Sequence, residues 1–170
     1  MKGDTRIFFS PECCVGCLSC LLACQMEALG APDVEKIPVG VKPAERMRMT
    51  YHQGTPWLWR CQGCASAPCA EACISGSLRQ GPSGVSHDSE RCVGCGSCSL
   101  VCPFGVILPL EGQDRMTKCD LCREETVPPC VRVCMTKALM LEEPARMAQI
   151  KRKAFALESR RQRGFRNDQP

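Results

Sequence analysis

Residues 14 to 24 read CVGCLSCLLAC, and residues 92 to 102 read CVGCGSCSLVC. The two stretches share C-V-G-C-x-S-C-x-x-x-C, and each carries four cysteines spaced C-x2-C-x2-C-x3-C. This shared register starts at Cys14, so Cys13, the residue just before it, is a bystander to the pattern. A repeat this close inside one chain points to the same small object being gripped twice.

The spacing says what kind of object. Three cysteines two residues apart on a tight loop can wrap three corners of one [4Fe–4S] cubane, and the fourth, one helical turn on, points toward a second cubane. A structural zinc site needs only two C-x2-C hooks, so the third cysteine of each run is surplus to it.

Seventeen cysteines in 170 residues mark a scaffold built on cysteine, and five Phe, two Trp and one Tyr leave little for a large conventional core. Disulfides would suit a secreted chain. MKGDTRIFFSPECC, however, has no apolar core of signal-peptide length and no twin arginine. No apolar run approaches the roughly 18 residues of a membrane span. The expectation is a cytoplasmic protein without a transmembrane segment, whose thiols stay reduced and bind metal.

The remaining cysteines also fall into fours. Cys61, Cys64, Cys69 and Cys73 read C-x2-C-x4-C-x3-C; Cys119, Cys122, Cys130 and Cys134 read C-x2-C-x7-C-x3-C. Together with Cys14, Cys17, Cys20, Cys24 and Cys92, Cys95, Cys98, Cys102, sixteen of the seventeen cysteines divide without remainder into ligands for four [4Fe–4S] clusters.

From Cys14 to Glu142, with KCDLC at 118–122 and PPCVRVC at 128–134, the chain resembles the four-cluster ferredoxin-type electron-transfer subunits of the dimethyl sulfoxide reductase, formate dehydrogenase and carbon monoxide dehydrogenase systems. The resemblance implies that the motifs exchange ligands, the first with the fourth and the second with the third. Site A would then take Cys14, Cys17, Cys20 and Cys134, and site B Cys24, Cys119, Cys122 and Cys130. Site C would take Cys61, Cys64, Cys69 and Cys102, and site D Cys73, Cys92, Cys95 and Cys98. The implied fold is α+β: two ferredoxin-like two-cluster modules, one nested inside the other, with small antiparallel sheets and short helices organised by the clusters. Relatives place Pro after the fourth cysteine of each motif; here only Cys102 is so followed, by Pro103, while Gln25, Ile74 and Met135 follow the others. The ligands remain, and the departure bears on how alike the cluster potentials are.

Within this frame a short helix is expected after each fourth cysteine and around Pro68 to Ala72, leading into Cys73. Strands are expected at Gly84 to Ser86 and Ala138 to Leu141. The insertion 25–60 contains RMRMTY, residues 46–51, whose alternation predicts a strand with Met47, Met49 and Tyr51 on one face of a hairpin covering clusters. Trp57 and Trp59 are read as shields for a cluster. His52 and His87 lie outside every cysteine motif and read as ordinary surface histidines.

Residues 1–143 form the expected four-cluster domain, and 144–170 a basic C-terminal helix for partner docking. The tail holds eight Lys/Arg against two acids, a net of +6, whereas the first 143 residues hold fourteen against sixteen, a net of −2. Met147, Ile150, Ala154 and Leu157 recur at helical spacing beside those cations. No aromatic interleaving accompanies the charge, which argues against nucleic acid. Four thiolates round an oxidised core leave about −2 per cluster, so four clusters would carry the formal +4 to about −4.

No nucleophile motif, phosphate-binding glycine loop or dinucleotide fingerprint is present. A fully thiolate-ligated cubane has no open iron for substrate, so the expected role is a non-catalytic electron-transfer subunit relaying single electrons between a catalytic oxidoreductase subunit and an acceptor or donor. The small size resembles the iron–sulfur subunit of tungsten aldehyde oxidoreductases, which makes a tungsten or molybdenum enzyme the expected partner. Formate dehydrogenase, carbon monoxide dehydrogenase and hydrogenase subunits are the other candidates, and end-to-end self-association is a further expectation. A zinc-binding interaction module and an iron–sulfur sensor are the competing classes; stoichiometric zinc would identify the first and an output domain the second.

Overall fold

The computed structural model describes residues 5–82, 84–122 and 124–162, with the side chain of Gln162 left aside. The chain begins with β1 (Arg6–Phe9), followed by α1 (Ser19–Leu29), the hairpin β2 (Arg48–His52) and β3 (Thr55–Trp59), and α2 (Pro68–Glu71). A second hairpin, β4 (Leu78–Gly81) and β5 (Gly84–His87), leads to α3 (Ser97–Val101), β6 (Leu108–Pro109) and β7 (Met116–Thr117). The series closes with α4 (Pro129–Arg132), β8 (Leu139–Glu142) and the long α5 (Pro144–Gln162). It is an α+β molecule of short elements.

The strands form two-stranded antiparallel sheets, and their pairing shows how the chain returns on itself. β1 pairs with β8, Arg6 opposite Glu142 and Phe9 opposite Leu139, so the two ends of the cysteine-bearing region share one sheet. The buried Ile7 and Leu139 face its core. α1 packs on α4 beside this sheet, and α2 packs on α3 beside the β4–β5 hairpin. The first and fourth motifs therefore meet, and so do the second and third.

The sequence reading places one helix correctly, α2 at Pro68–Glu71, but its helices after the fourth cysteines are not where the motif helices lie. They lead into the fourth cysteine rather than follow it: α2, α3 and α4 end just before Cys73, Cys102 and Cys134, and only α1 runs on past Cys24. The reason is geometric. The C-x3-C spacing is one helical turn, so the turn has to lie between the third and fourth cysteines. Pro68 and Pro129 open α2 and α4 at a position where a missing N–H costs nothing.

The insertion does form a hairpin. β2 pairs with β3 through a turn in which Gln53 and Gly54 both take positive φ, +50° and +81°, the pattern of a tight two-residue loop. Met47 is buried just before β2, and Pro56 and Leu58 point inward from β3. Tyr51 is exposed at the ring but donates its hydroxyl to the Gly16 carbonyl at 3.3 Å, tying the hairpin to the first motif.

Two apolar clusters make the core, and cysteines belong to both. Cys24, Cys61, Cys119 and Cys130 are buried with Ile7, Met47, Leu58 and Leu139; Cys98 is buried with Leu78, Val85 and Ile107. From Pro144 onward the chain leaves the core. Among the described residues Met147 is the only one buried on α5, and Phe155 and Leu157 are exposed.

Candidate metal centres

The hook of each motif has the same backbone. Its third residue is left-handed in every case: Gly16 at φ +68°, Gly63 at +63°, Gly94 at +66° and Leu121 at +67°. That turn aims two thiols the same way from a short loop. In the first and third motifs a second left-handed residue, Leu18 or Gly96, then starts the helix that carries the third cysteine.

Cys14, Cys17, Cys20 and Cys134 line one hollow of about 290 Å³, walled by Phe9 and Met49. Cys13 is exposed in the short turn Pro11–Cys13 and does not face it. Cys73, Cys92, Cys95 and Cys98 line a second hollow, with Lys118 and His87 in its wall. The second is narrower, about 20 Å³. The other two sets lie deeper and show their grouping through mutual influence. Burial pushes the Cys24 and Cys130 thiols up to about 12, and the charge of Cys119 adds to both. Burial raises Cys122 too, reinforced by Asp120 and then by Cys119, Cys130 and Cys24. Cys69 is raised by burial and by Cys61, Cys102 and Cys64, while Lys118 opposes the rise.

The four groups form a row. Cys130 of site B feels Cys20 of site A, Cys119 of site B feels Cys61 of site C, and Cys98 of site D packs with Cys69 and Cys102 of site C. The ends of the row reach the surface: Cys17 and Cys95 are exposed, and the neighbouring Ser19 and Ser97 hydroxyls hold their thiols below the usual range.

The donor set fits iron–sulfur clusters. Thiols surround hollows rather than converging, and among the described residues no three His, Cys, Asp or Glu side chains meet at a point suited to a single ion. Backbone amides already aim at sulfur: Leu78 donates to Cys73 Sγ at 3.3 Å, Met116 to Cys92 Sγ at 3.2 Å and Leu139 to Cys134 Sγ at 3.3 Å. Such N–H donors stabilise a thiolate and tune a bound cluster.

Three residues near the cysteines escaped the sequence reading. Arg60 and Lys118 each stand directly before the first cysteine of a motif, yet they are only 5% and 2% exposed. Their positions just ahead of Cys61 and Cys119 were the available signal. His87 is half-buried rather than on the open surface; burial holds its imidazole below the usual value, with Lys118 and Arg46 adding to that effect. It shares the inward face of β5 with Val85, which strand alternation could have revealed. Of the two tryptophans, Trp59 packs against the apolar cluster that holds Cys24, Cys61, Cys119 and Cys130, while Phe9 and Met49 wall the first hollow. Trp57 packs edge-on against Phe9 at 6.4 Å, one layer out, and Trp59 donates to Thr50 Oγ1 at 2.7 Å.

Thiol-lined hollows with amide donors define an iron–sulfur protein of ferredoxin type. The 4Fe-4S binding domain family matches residues 85–108. The chain is 34% identical over 158 residues to an iron-sulfur protein of Rhodospirillum rubrum, covering 83% of each chain. It is 34% identical over 132 residues to the putative electron transport protein YsaA of Escherichia coli K12, covering 74% of this chain and 82% of that one. It also matches the putative oxidoreductase UacF of the same organism, 33% over 144 residues, which is 81% of this chain and 21% of that longer one. The chain belongs to the family of iron–sulfur electron-transfer subunits.

Proposed function

We propose that the chain carries four [4Fe–4S] clusters in sites A to D as assigned above, and that it relays single electrons for a separate catalytic subunit. The observation that carries this reading is the row of four thiol groups, buried in the middle and exposed at both ends. Bound clusters supply one-electron storage at each site. The protein's own part is to hold, cover and expose them. Buried Cys24, Cys61, Cys119 and Cys130 keep the inner sites dry, while Cys17 and Cys95 bring the outer two within reach of partners. Beside those outer sites stand Met135 and Ile74, 94% and 79% exposed, the residues that replace proline after the fourth cysteines. Together with exposed Val15 and Val93 they make an apolar rim at each end.

The nested two-module arrangement is part of the same proposal, supported by the first motif meeting the fourth and the second meeting the third. A catalytic partner is supported by the putative oxidoreductase whose longer chain includes a matching stretch. We place that partner among tungsten or molybdenum enzymes, an aldehyde oxidoreductase first. Residues 1–143 form the cluster domain, and α5 is the arm that docks the partner. Among the described residues no helix is long and apolar enough to cross a membrane. A cytoplasmic location, where thiols stay reduced until clusters assemble, completes the reading.

The test is a mediated reductive titration of the purified holo-protein. About four electrons per chain, taken up and returned in one-electron steps without any substrate being turned over, are expected from four clusters. Uptake of fewer than two, or steps that cannot be reversed, would defeat the proposal.

A further inference from the structure

Arg60 and Lys118 are buried cations that make no ion pair with any carboxylate among the described residues. Arg60 donates through Nη1 to the Cys61 carbonyl at 2.8 Å and through Nη2 to the Ile7 carbonyl. Lys118 donates through Nζ to the carbonyls of Cys119 at 2.9 Å and Val85 at 2.8 Å. Carbonyl dipoles alone do not offset the cost of holding a full positive charge out of water; such a charge needs a counter-charge nearby. Each residue also reaches across the molecule. Arg60, on the loop of the second motif, ties to β1 of the outer sheet, and Lys118, on the loop of the fourth, ties to β5 of the inner hairpin. Arg60 stands within electrostatic reach of Cys119 and Cys130 as well as of the adjoining Cys61. Lys118 lies between Cys69 and the hollow lined by Cys73, Cys92, Cys95 and Cys98.

We infer that Arg60 and Lys118 are the built-in counter-ions of the clusters, Arg60 raising the reduction potentials at sites B and C and Lys118 those at sites C and D, with site A outside the reach of both. The inference rests on the four-cluster reading. A cluster gains one negative charge on reduction, so a fixed cation in a poorly screened interior favours the reduced form. The always-charged, planar guanidinium forks to two carbonyls from different segments, and the compact ammonium fits beside the narrower hollow.

The experiment is an anaerobic potentiometric titration, followed by electron paramagnetic resonance, of holo-protein carrying R60Q, R60K, K118M or K118R. Iron and sulfide are measured on every sample, so that failure of the four-cluster reading shows in the wild type itself. In each neutral variant two of the four reductions should become harder by about tenfold in equilibrium constant, roughly 59 mV for a one-electron couple. The charge-keeping variants should stay near wild type. Only one set of steps should shift in both R60Q and K118M, as expected for site C between the two cations. Full iron with all four steps unmoved, all four moving alike, or K118R shifting as far as K118M would each overturn the inference. If R60Q loses its iron, the K118M and K118R pair decides the matter alone.

Discussion

At the scale of single residues, the left-handed third position of each hook decides what can be changed. Gly94 is the least replaceable, because a Cβ there would sit 2.6 Å from the backbone oxygen of Asp114 as well as at positive φ. A Cβ on Gly16 would meet the Tyr51 hydroxyl at 2.5 Å, the far end of a side chain that can swing away. G94A should therefore lose bound iron during gel filtration while G16A keeps most of it; equal retention would contradict this account. Leu121 holds the same conformation with a side chain, against a cost of about 1–2 kcal/mol. Its burial against the Gly63 hook returns about 1.5–3 kcal/mol. Removing the side chain opens a cavity, but glycine at least relieves the backbone. L121G should thus lose about 1–3 kcal/mol in denaturant unfolding, and L121A should lose more, the reverse of the usual order. L121A at or above the stability of L121G would show that no strain is stored there.

At the scale of elements, the hairpin β2–β3 and the helix α5 have opposite roles. The hairpin is bolted down by Met47 and Leu58 in the core, by the Tyr51–Gly16 bond and by the Arg46–Asp120 ion pair at 2.9 Å. α5 is anchored at Met147, its one buried side chain among the described residues, with the Arg146–Glu142 pair at 3.3 Å beside it. Removing residues 150–170 should leave the thermal melting of the holo-protein within experimental error, since little buried area is lost. The same cut should weaken capture of the catalytic partner and flatten the salt dependence of that capture, because seven cations go with it. A large drop in melting temperature would place α5 in the fold rather than at a partner. RMRMTY and the tail announced these elements through periodicity, which local sequence carries. The helix leading into Cys73 was legible because C-x3-C is itself a turn of helix, whereas helices expected beyond Cys73, Cys102 and Cys134 had no such spacing to support them. Size and apolarity alone did not separate Trp57 from Trp59: Trp59 packs on the cysteine-bearing core with Phe9, and Trp57 lies against Phe9.

At the scale of the whole molecule, the cysteines replace much of an ordinary core. With five Phe, two Trp and one Tyr in 170 residues, little else holds the two halves together. Stripping iron with a chelator under reducing conditions should therefore abolish most of the far-ultraviolet dichroism and expose the chain to protease. A stripped chain that keeps its dichroism would mean the protein core suffices. The four cysteine motifs were legible because ligand geometry demands fixed spacing. Arg60 and Lys118 were not, because a cation beside a cysteine reads as a surface residue until the chain folds back and buries it. Their positive charges then sit where about −2 per cluster would otherwise go unanswered.

The most direct test of the central claim is elemental: iron, acid-labile sulfide and zinc measured on one anaerobically purified sample. Four cubanes require about sixteen irons and about sixteen sulfides per chain with no zinc. Stoichiometric zinc without sulfide would contradict the electron-transfer reading outright.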